Sequence, residues 1–325
     1  MNSVRVGTSG WSYPTGRGTW NGLFYPGRGT RGFRAADELA YYAEHFETVE
    51  VNSSFYRPPE AATTARWVAQ TPPGFDFSLK LHQRFTHAVP IGRGTPPPEQ
   101  ARDRPVMPQP TPEEADQFKK GLDPIARGGR LGAVLAQFPP SFHCTPDSLA
   151  YLTGLLETFR EYPLAVELRH RSWSDAAAET TEVLDRFDAA WVQIDEPKFR
   201  LSIRQDLAPN TTRFYYLRLH GRNAAQWWSP EAAEDRYNYL YSPDELRTFA
   251  DVAATVGPSV RKAYLYLNNH FAAKAVVNAT MLRHQLGQPA TGEYREEMLD
   301  AYPELRSIVP PQGGGLFSIR SKDRK

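Results

Sequence analysis

One pattern, repeated eight times, limits what this chain can fold into. The stretch Leu164-Ala165-Val166-Glu167-Leu168-Arg169-His170 shows it most clearly. Val166 and Leu168 alternate with Glu167 and Arg169. A β-strand sends successive side chains to opposite faces, so one face is apolar and the other carries a carboxylate and a guanidinium. Residues 4–9, 49–52, 77–82, 133–138, 191–195, 216–220 and 264–268 repeat the pattern, and their polar residues gather toward the C-terminal ends.

Helix patterns lie between these stretches. Leu39, Tyr42, Ala43 and Phe46 fall on one face over 37–46. Pro58-Pro59 opens a segment that reaches Val68. Thr111-Pro112-Glu113-Glu114 and Ser242-Pro243-Asp244-Glu245 read as capping boxes with proline at the first helical position. Thr145-Pro146-Asp147 opens a helix with Leu149, Leu152, Leu155, Leu156 and Phe159 on one face. Ser174-Asp175 opens another that carries Val183, Leu184 and Phe187, and a last one runs from about Ala272 to Leu286, stopped by Gly287.

Strands alternating with helices argue for a parallel sheet covered by helices. In a doubly wound sheet the central strands are apolar on both faces. Here one parity is polar in nearly every strand, which a closed barrel explains by turning that parity into its lumen. The expected fold is α/β, a (β/α)8 TIM-type barrel formed as a single domain over 1–290. Two loop insertions are expected, at about 83–110 and 222–241. The first is rich in proline and arginine. The second carries Trp227, Trp228, Tyr237, Tyr239 and Tyr241 and reads as a lid or a packed shelf. Residues 197–213 show no helix, and the C-terminal extension 291–325 is expected to be partly disordered.

The net charge of +1 gives no global field for nucleic acid or an anionic membrane. The lone Cys144 excludes an intramolecular disulfide. No apolar stretch approaches the ~20 residues of a membrane span, and no charged segment followed by an apolar run opens the chain. The expectation is a cytoplasmic protein with no membrane partner, and the charge speaks against nucleic acid as a partner. Nothing in the sequence reads out the oligomeric state.

The strand ends also spell ordered motifs. They are Gly7-Thr8-Ser9-Gly10-Trp11-Ser12-Tyr13, Val49-Glu50-Val51-Asn52-Ser53-Ser54-Phe55-Tyr56, Trp67 with Thr71-Pro72, and Phe77-Ser78-Leu79-Lys80. Gln137-Phe138-Pro139-Pro140, Val166-Glu167-Leu168-Arg169-His170 with Trp173, Leu217-Arg218-Leu219-His220-Gly221 and Asn268-Asn269 follow. Over about residues 4–287 the chain resembles the YecE-like family, domain of unknown function seventy-two. The resemblance implies a TIM-type barrel. It brings no assigned activity, and the described kinship with sugar isomerases rests on fold, which does not carry function.

Active sites of such barrels lie at the C-terminal strand ends. The acid/base candidates there are Glu50, Glu167, Asp195 and His220. His220 is the leading proton-transfer residue because an imidazole titrates near neutrality. Trp11, Tyr13, Tyr56 and Trp173 are candidate walls, and Asn52, Lys80, His82, Gln137, Arg169, Arg218 and Asn268 candidate ligand contacts. Arg169 and Arg218 suit a bidentate clamp on a phosphate or carboxylate. Lys80 suits a point-charge anchor or, if desolvated, a base or Schiff-base amine; its structural alternative is a salt bridge to Glu50 or Glu167. Glu50, Glu167, Asp195 and His220 also make an oxygen-rich set for a divalent metal such as Mg or Mn, without any local metal signature. No cofactor is evident.

These readings point to a barrel enzyme, an isomerase or hydrolase, working by acid/base chemistry on a small, polar, anionic, sugar-like molecule. Paired carboxylates with aromatic walls equally suit a glycosidase-like mechanism. The alternatives are a small-anion binding protein without turnover, and a metal-dependent nucleic-acid phosphoesterase using Arg84, Arg93, Arg102 and Arg104.

Overall fold

The computed structural model describes residues 3–27, 32–88, 107, 109–227 and 233–309. Its strands are β1 (Ser3–Ser9), β2 (Thr48–Val51), β3 (Asp76–Lys80), β4 (Leu131–Gln137), β5 (Leu164–Glu167), β6 (Ala190–Trp191), β7 (Gln193–Asp195), β8 (Phe214–Leu219) and β9 (Lys262–Leu267). All pair in parallel, in the order β6-β5-β4-β3-β2-β1-β9-β8-β7. Only Val192 separates β6 from β7, and its N–H donates to the Val166 carbonyl at 2.9 Å. One interrupted strand therefore pairs with β5 through its first half and with β8 through its second, joining the two ends of the sheet. The result is the expected α/β barrel of TIM type.

Nine helices surround the described barrel: α1 (Glu38–His45), α2 (Ala61–Gln70), α3 (Pro112–Arg127), α4 (Pro146–Thr158), α5 (Arg171–Asp175), α6 (Ala177–Arg186), α7 (Pro243–Val256), α8 (Lys274–Gln285) and α9 (Glu296–Ala301). Both capping boxes form. Thr111 Oγ1 accepts from the Glu114 N–H, and the Glu114 carboxylate accepts from the Thr111 N–H at 2.9 Å; Ser242 and Glu245 do the same. The helix expected from Ser174 is instead two helices, α5 and α6, broken at Ala176. The last core helix starts at Lys274 because Ala272 and Ala273 have φ of 50° and 61°.

The outward parity (Val49, Val51, Leu79, Val134, Val166, Leu217 and Leu265) is buried under these helices. The inward parity is polar in most strands, with Leu135, Ala165 and Ile194 as apolar members, and the lower lumen is filled by tyrosines rather than by the branched apolar layers usual in this fold. Tyr264 donates to Asp76 at 3.1 Å, Tyr266 bonds Thr48 and Ser78, and Tyr216 donates to Glu50 at 2.7 Å. Each hydroxyl is satisfied, so these rings fill space without an orphaned polar atom.

The connection 197–213 contains no helix. In the 222–241 insertion Trp227 and Tyr241 are buried and Tyr239 donates to Glu245 at 2.7 Å, so its described part is a packed shelf. Trp228 lies outside the described residues, as do 89–106, the core of the first insertion, and 310–325 of the C-terminal extension. The earlier part of that extension packs on the barrel through Met298 and Leu305. No described helix is long and apolar enough to cross a membrane.

Candidate active site at the strand ends

Arg218, on β8, is the centre of the site. Its side chain is 1% exposed. Nε and Nη2 donate to the two Glu50 oxygens at 2.9 and 2.6 Å, while Nη1 donates to Glu167 and, at 3.1 Å, to Gln137 Oε1. Tyr216 Oη completes the Glu50 shell. Arg169 forms a second layer. It donates to Glu167 through Nε at 2.7 Å and to Glu196 through Nη1 at 3.1 Å. Burial opposes the charge on Glu167, but Arg218 and Arg169 outweigh it and hold this carboxyl well below the ordinary range. Burial raises Glu196, only partly offset by Arg169.

His220 is wholly buried between these layers. Its Nε2 lies 3.2 Å from Arg169 Nη2 and 3.4 Å from Arg218 Nη1, and its Nδ1 lies 2.8 Å from the Asn268 amide. Burial pushes its pKa down to about 3, against the pull of Glu167. The ring is neutral near pH 7 and holds the two guanidinium groups in place. Its Nε2 also lies 3.5 Å from Glu167 Oε1.

Lys80 stands apart from this saturated network. It faces the lumen at the end of β3, and the Ser54 hydroxyl fixes its carbonyl at 2.6 Å. Its Nζ sits 3.9 Å from the centre of the Phe55 ring. Behind that ring His87 packs edge-on at 4.9 Å. Among the described residues Nζ makes no hydrogen bond and no ion pair, so the expected bridge to Glu50 or Glu167 does not form. Both carboxylates already belong to Arg218. Burial first, and the Arg218 charge second, lower the Lys80 pKa to about 7.

Other predicted residues lie elsewhere. Asp195 aligns with Leu219, on the outward parity, and Ile194 aligns with Arg218. Asp195 therefore binds Arg222 at 2.9 Å and the Tyr241 hydroxyl at 2.7 Å, outside the lumen cluster. The next residue, Glu196, takes the inward place that the sequence reading gave to Asp195. His82 caps a short turn, its ring accepting from the Arg84 N–H at 3.3 Å. Trp173 is a core residue that stacks on Phe142 and donates to its carbonyl. Tyr56 is 54% exposed. Trp11 meets Trp67 edge-on at 5.3 Å, and Tyr13 stacks on His270 at 4.2 Å. Tyr237, from the aromatic shelf, packs on the same His270 at 4.7 Å. Asn52 follows β2 directly, and its Oδ1, like Ser9 Oγ at the end of β1, is buried with no partner among the described residues.

The proposed metal set is not assembled. Asp195 is outside the cluster, Glu50 and Glu167 are bound by arginine, and no three His, Cys, Asp or Glu side chains are placed to hold an ion among the described residues. Of the arginines expected to meet nucleic acid, Arg84 pairs with Glu114 at 3.2 Å, and Arg93, Arg102 and Arg104 lie outside the described residues. Sequence reasoning missed Glu196, Phe55, His87 and Tyr216. Tyr216 was legible, since it shares the parity of Arg218 and His220.

The family model described as "Protein of unknown function DUF72" matches residues 5–300. The UPF0759 protein YunF of Bacillus subtilis (strain 168) is 26% identical over 287 residues, 86% of this chain and 93% of that protein. The UPF0759 protein YecE of Escherichia coli (strain K12) is 26% identical over 46% of this chain and 47% of its own length. A solved DUF72 family protein from Thermotoga maritima MSB8 superposes with a TM-score of 0.70 at 31% identity, over 88% of this chain and all of that one. A DUF72 family protein from Enterococcus faecalis V583, 23% identical, superposes with a TM-score of 0.71 over 87% of this chain and 95% of its own, and shares the fold.

Proposed function

For this chain, which belongs to the DUF72 family, we propose an enzyme that works at the barrel mouth by acid/base chemistry on a small, polar, anionic, sugar-like molecule. The carrying observation is that Lys80 stands outside the ion pairs of the lumen. Glu50, Glu167 and Glu196 are paired with Arg169 and Arg218, and Lys80 makes no direct ion pair among the described residues. A ligand anion would give its ammonium that direct partner. A lysine with a pKa near 7 exists in both protonation states at neutral pH, as a proton-transfer group requires.

The rest of the mouth supports this reading. Arg218 and Arg169 are engaged by Glu50, Glu167 and Glu196, so in this reading their part is to hold Glu167 ionised rather than to clamp substrate. Ser9 and Asn52 offer unpaired polar atoms that suit a hydroxylated ligand. The Tyr13–His270–Tyr237 stack offers an aromatic wall.

The test is solvent exchange. Sugar phosphates and small hydroxy- or oxo-carboxylates are incubated with the protein in D2O, and carbon-bound deuterium is read by NMR. The expected result is incorporation into at least one compound, slowed about 100-fold or more by Lys80→Gln, the range that one general acid/base contributes. No exchange, together with no anion that raises the melting temperature, would overturn the reading.

A further inference from the structure

We infer that Lys80 is a covalent nucleophile that forms an imine with the carbonyl carbon of a small aldehyde or ketone carrying an anionic group. The inference rests on the reading of the mouth as an active site, and it names the class of substrate that site takes.

The geometry around Nζ is that of an amine kept available. A structural lysine at a barrel mouth is expected to find a carboxylate, and two are close enough to influence its charge, Glu50 and Glu167. Both are bound by Arg218, with bonds from three of its nitrogens, and Glu167 also by Arg169. Arg218 thus withholds from Lys80 the partners that would keep it protonated. Nζ lies instead 3.9 Å from the centre of the Phe55 ring. An aromatic face tolerates a cation but gives the neutral amine no acceptor that would tie up its lone pair. The backbone beneath is pinned by Ser54, so the side chain rises from a rigid strand end.

The step balances without any further reagent. The Nζ lone pair attacks the carbonyl carbon, a C–N bond forms, and the C=O π pair moves to oxygen. The two amine hydrogens leave with that oxygen as water, and the C=N bond closes. Protonation at nitrogen then gives an iminium, which draws electrons from the adjacent carbon and makes a C–H or C–C bond there easier to break. The iminium charge remains over the Phe55 ring and beside the two arginine-bound carboxylates. Hydrolysis reverses the sequence and returns the amine. The burial and neighbouring positive charge that favour the neutral amine favour attack in the same way.

The experiment is reductive trapping on the intact protein at pH 7. The probes are glyceraldehyde 3-phosphate, dihydroxyacetone phosphate, pyruvate and glyceraldehyde, each with sodium cyanoborohydride, followed by intact-mass measurement and peptide mapping. The expected result is one adduct per chain, mapped to Lys80. An amine of pKa near 7 is half neutral at pH 7, whereas an ordinary lysine of pKa ~10.4 is neutral in about 4 molecules per 10,000. Labelling of Lys80 is therefore expected to run about 10-fold or more faster than that of the surface lysines, the lower nucleophilicity of a less basic amine taking back part of the gain, and Lys80→Arg, which keeps the charge and loses the nucleophile, is expected to remove it. The phosphate and carboxylate probes should label faster than glyceraldehyde, because the protonated share of Lys80, without an ion pair among the described residues, attracts the anion into the site before the amine attacks. Adducts spread over surface lysines with Lys80 unmodified would overturn the imine. The acid/base reading would survive that result if deuterium exchange persisted, so the two fail separately.

Discussion

Arg218 and Glu50 form a bidentate pair that is closed to solvent on both sides, with side-chain exposures of 1% and 0%. Taking two such charges out of water costs several kcal/mol each, recovered only when the remaining donors and acceptors are also filled. Here they are: Tyr216 adds a bond to Glu50, and Glu167 and Gln137 take the third Arg218 nitrogen. Arg218→Met would leave Glu50 and half of Glu167 buried without a counter-charge. The expected loss of stability is about 3–5 kcal/mol by urea unfolding at pH 7. Glu50→Gln together with Arg218→Met should restore part of it, since the unpaired charge on one side is then gone.

The barrel was legible because nearly every strand alternates a polar with an apolar parity in sequence, and the same alternation showed the lumen to be charged. One parity was misread, and it moved one site residue. In β7 Gln193 and Asp195 are the polar residues of an alternating run, which suggests that they face inward. The register with β8 shows the opposite, with Ile194 level with Arg218 and Asp195 level with Leu219. A strand flipped by one residue exchanges its faces, so Glu196 enters the lumen and Asp195 ties down the aromatic shelf. The break at Val192, where the strand changes partners, is a tertiary feature without a local signal. The isolation of Lys80 was likewise invisible, because it follows from which carboxylates Arg218 occupies across the barrel. A prediction follows from the exchange of faces. Glu196→Gln should impair catalysis measured by deuterium exchange through a looser Arg169, by an expected ~10-fold, whereas Asp195→Asn should lower the melting temperature with little change in exchange rate.

Acid should weaken the fold before carboxylates protonate. The folded-state pKa of His220 is about 3, below the ~6.5 of an unfolded histidine. Its contribution is complete above pH ~6.5 and is lost as pH falls toward the folded value, because only the unfolded chain takes the proton. Each such histidine contributes a slope of up to ~1.4 kcal/mol per pH unit across that window. Glu167 adds to the loss only below the ordinary carboxylate range, since its folded value is depressed. Urea midpoints at pH 7, 6 and 5 should fall steadily, and His220→Gln should reduce the slope by about one proton. An unchanged slope in that variant would mean that His220 is charged in the fold.

Lys80 has the complementary signature at alkaline pH. Its folded pKa of about 7 lies below the unfolded value of ~10.4, so the fold disfavours its charged form. The cost of this lysine to stability is complete below pH ~7, where both states hold the proton, and shrinks between ~7 and ~10.4, where the folded chain has released it and the unfolded chain still binds it. Lys80→Met should therefore raise the melting temperature at pH 7, on the order of a few °C, with the gain fading toward pH 10. A bound phosphate should narrow the same gap in the wild type by giving the ammonium its counter-ion. A lower melting temperature for Lys80→Met at pH 7 would mean that the ammonium stabilises the fold.

Two glycines hold the mouth and the strand pairing beneath it at distances that no side chain permits. Gly221 follows His220 at φ +87°, and a Cβ there would lie 2.8 Å from Cβ of Tyr239 on the aromatic shelf. Its N–H donates at 2.8 Å to the Tyr241 hydroxyl, the same group that binds Asp195. Gly221→Ala combines an unfavourable backbone conformation with a contact the shelf must yield to, and the expected cost is about 2 kcal/mol. Gly7 is tighter. A Cβ there would meet the Thr48 carbonyl oxygen at 2.3 Å, between β1 and β2, where backbone cannot move aside without opening the barrel. Gly7→Ala should therefore be the more damaging change, with a larger drop in urea midpoint than Gly221→Ala. Gly221→Ala, by displacing the shelf that carries Tyr237 to His270, should cut deuterium exchange more than its stability loss alone accounts for.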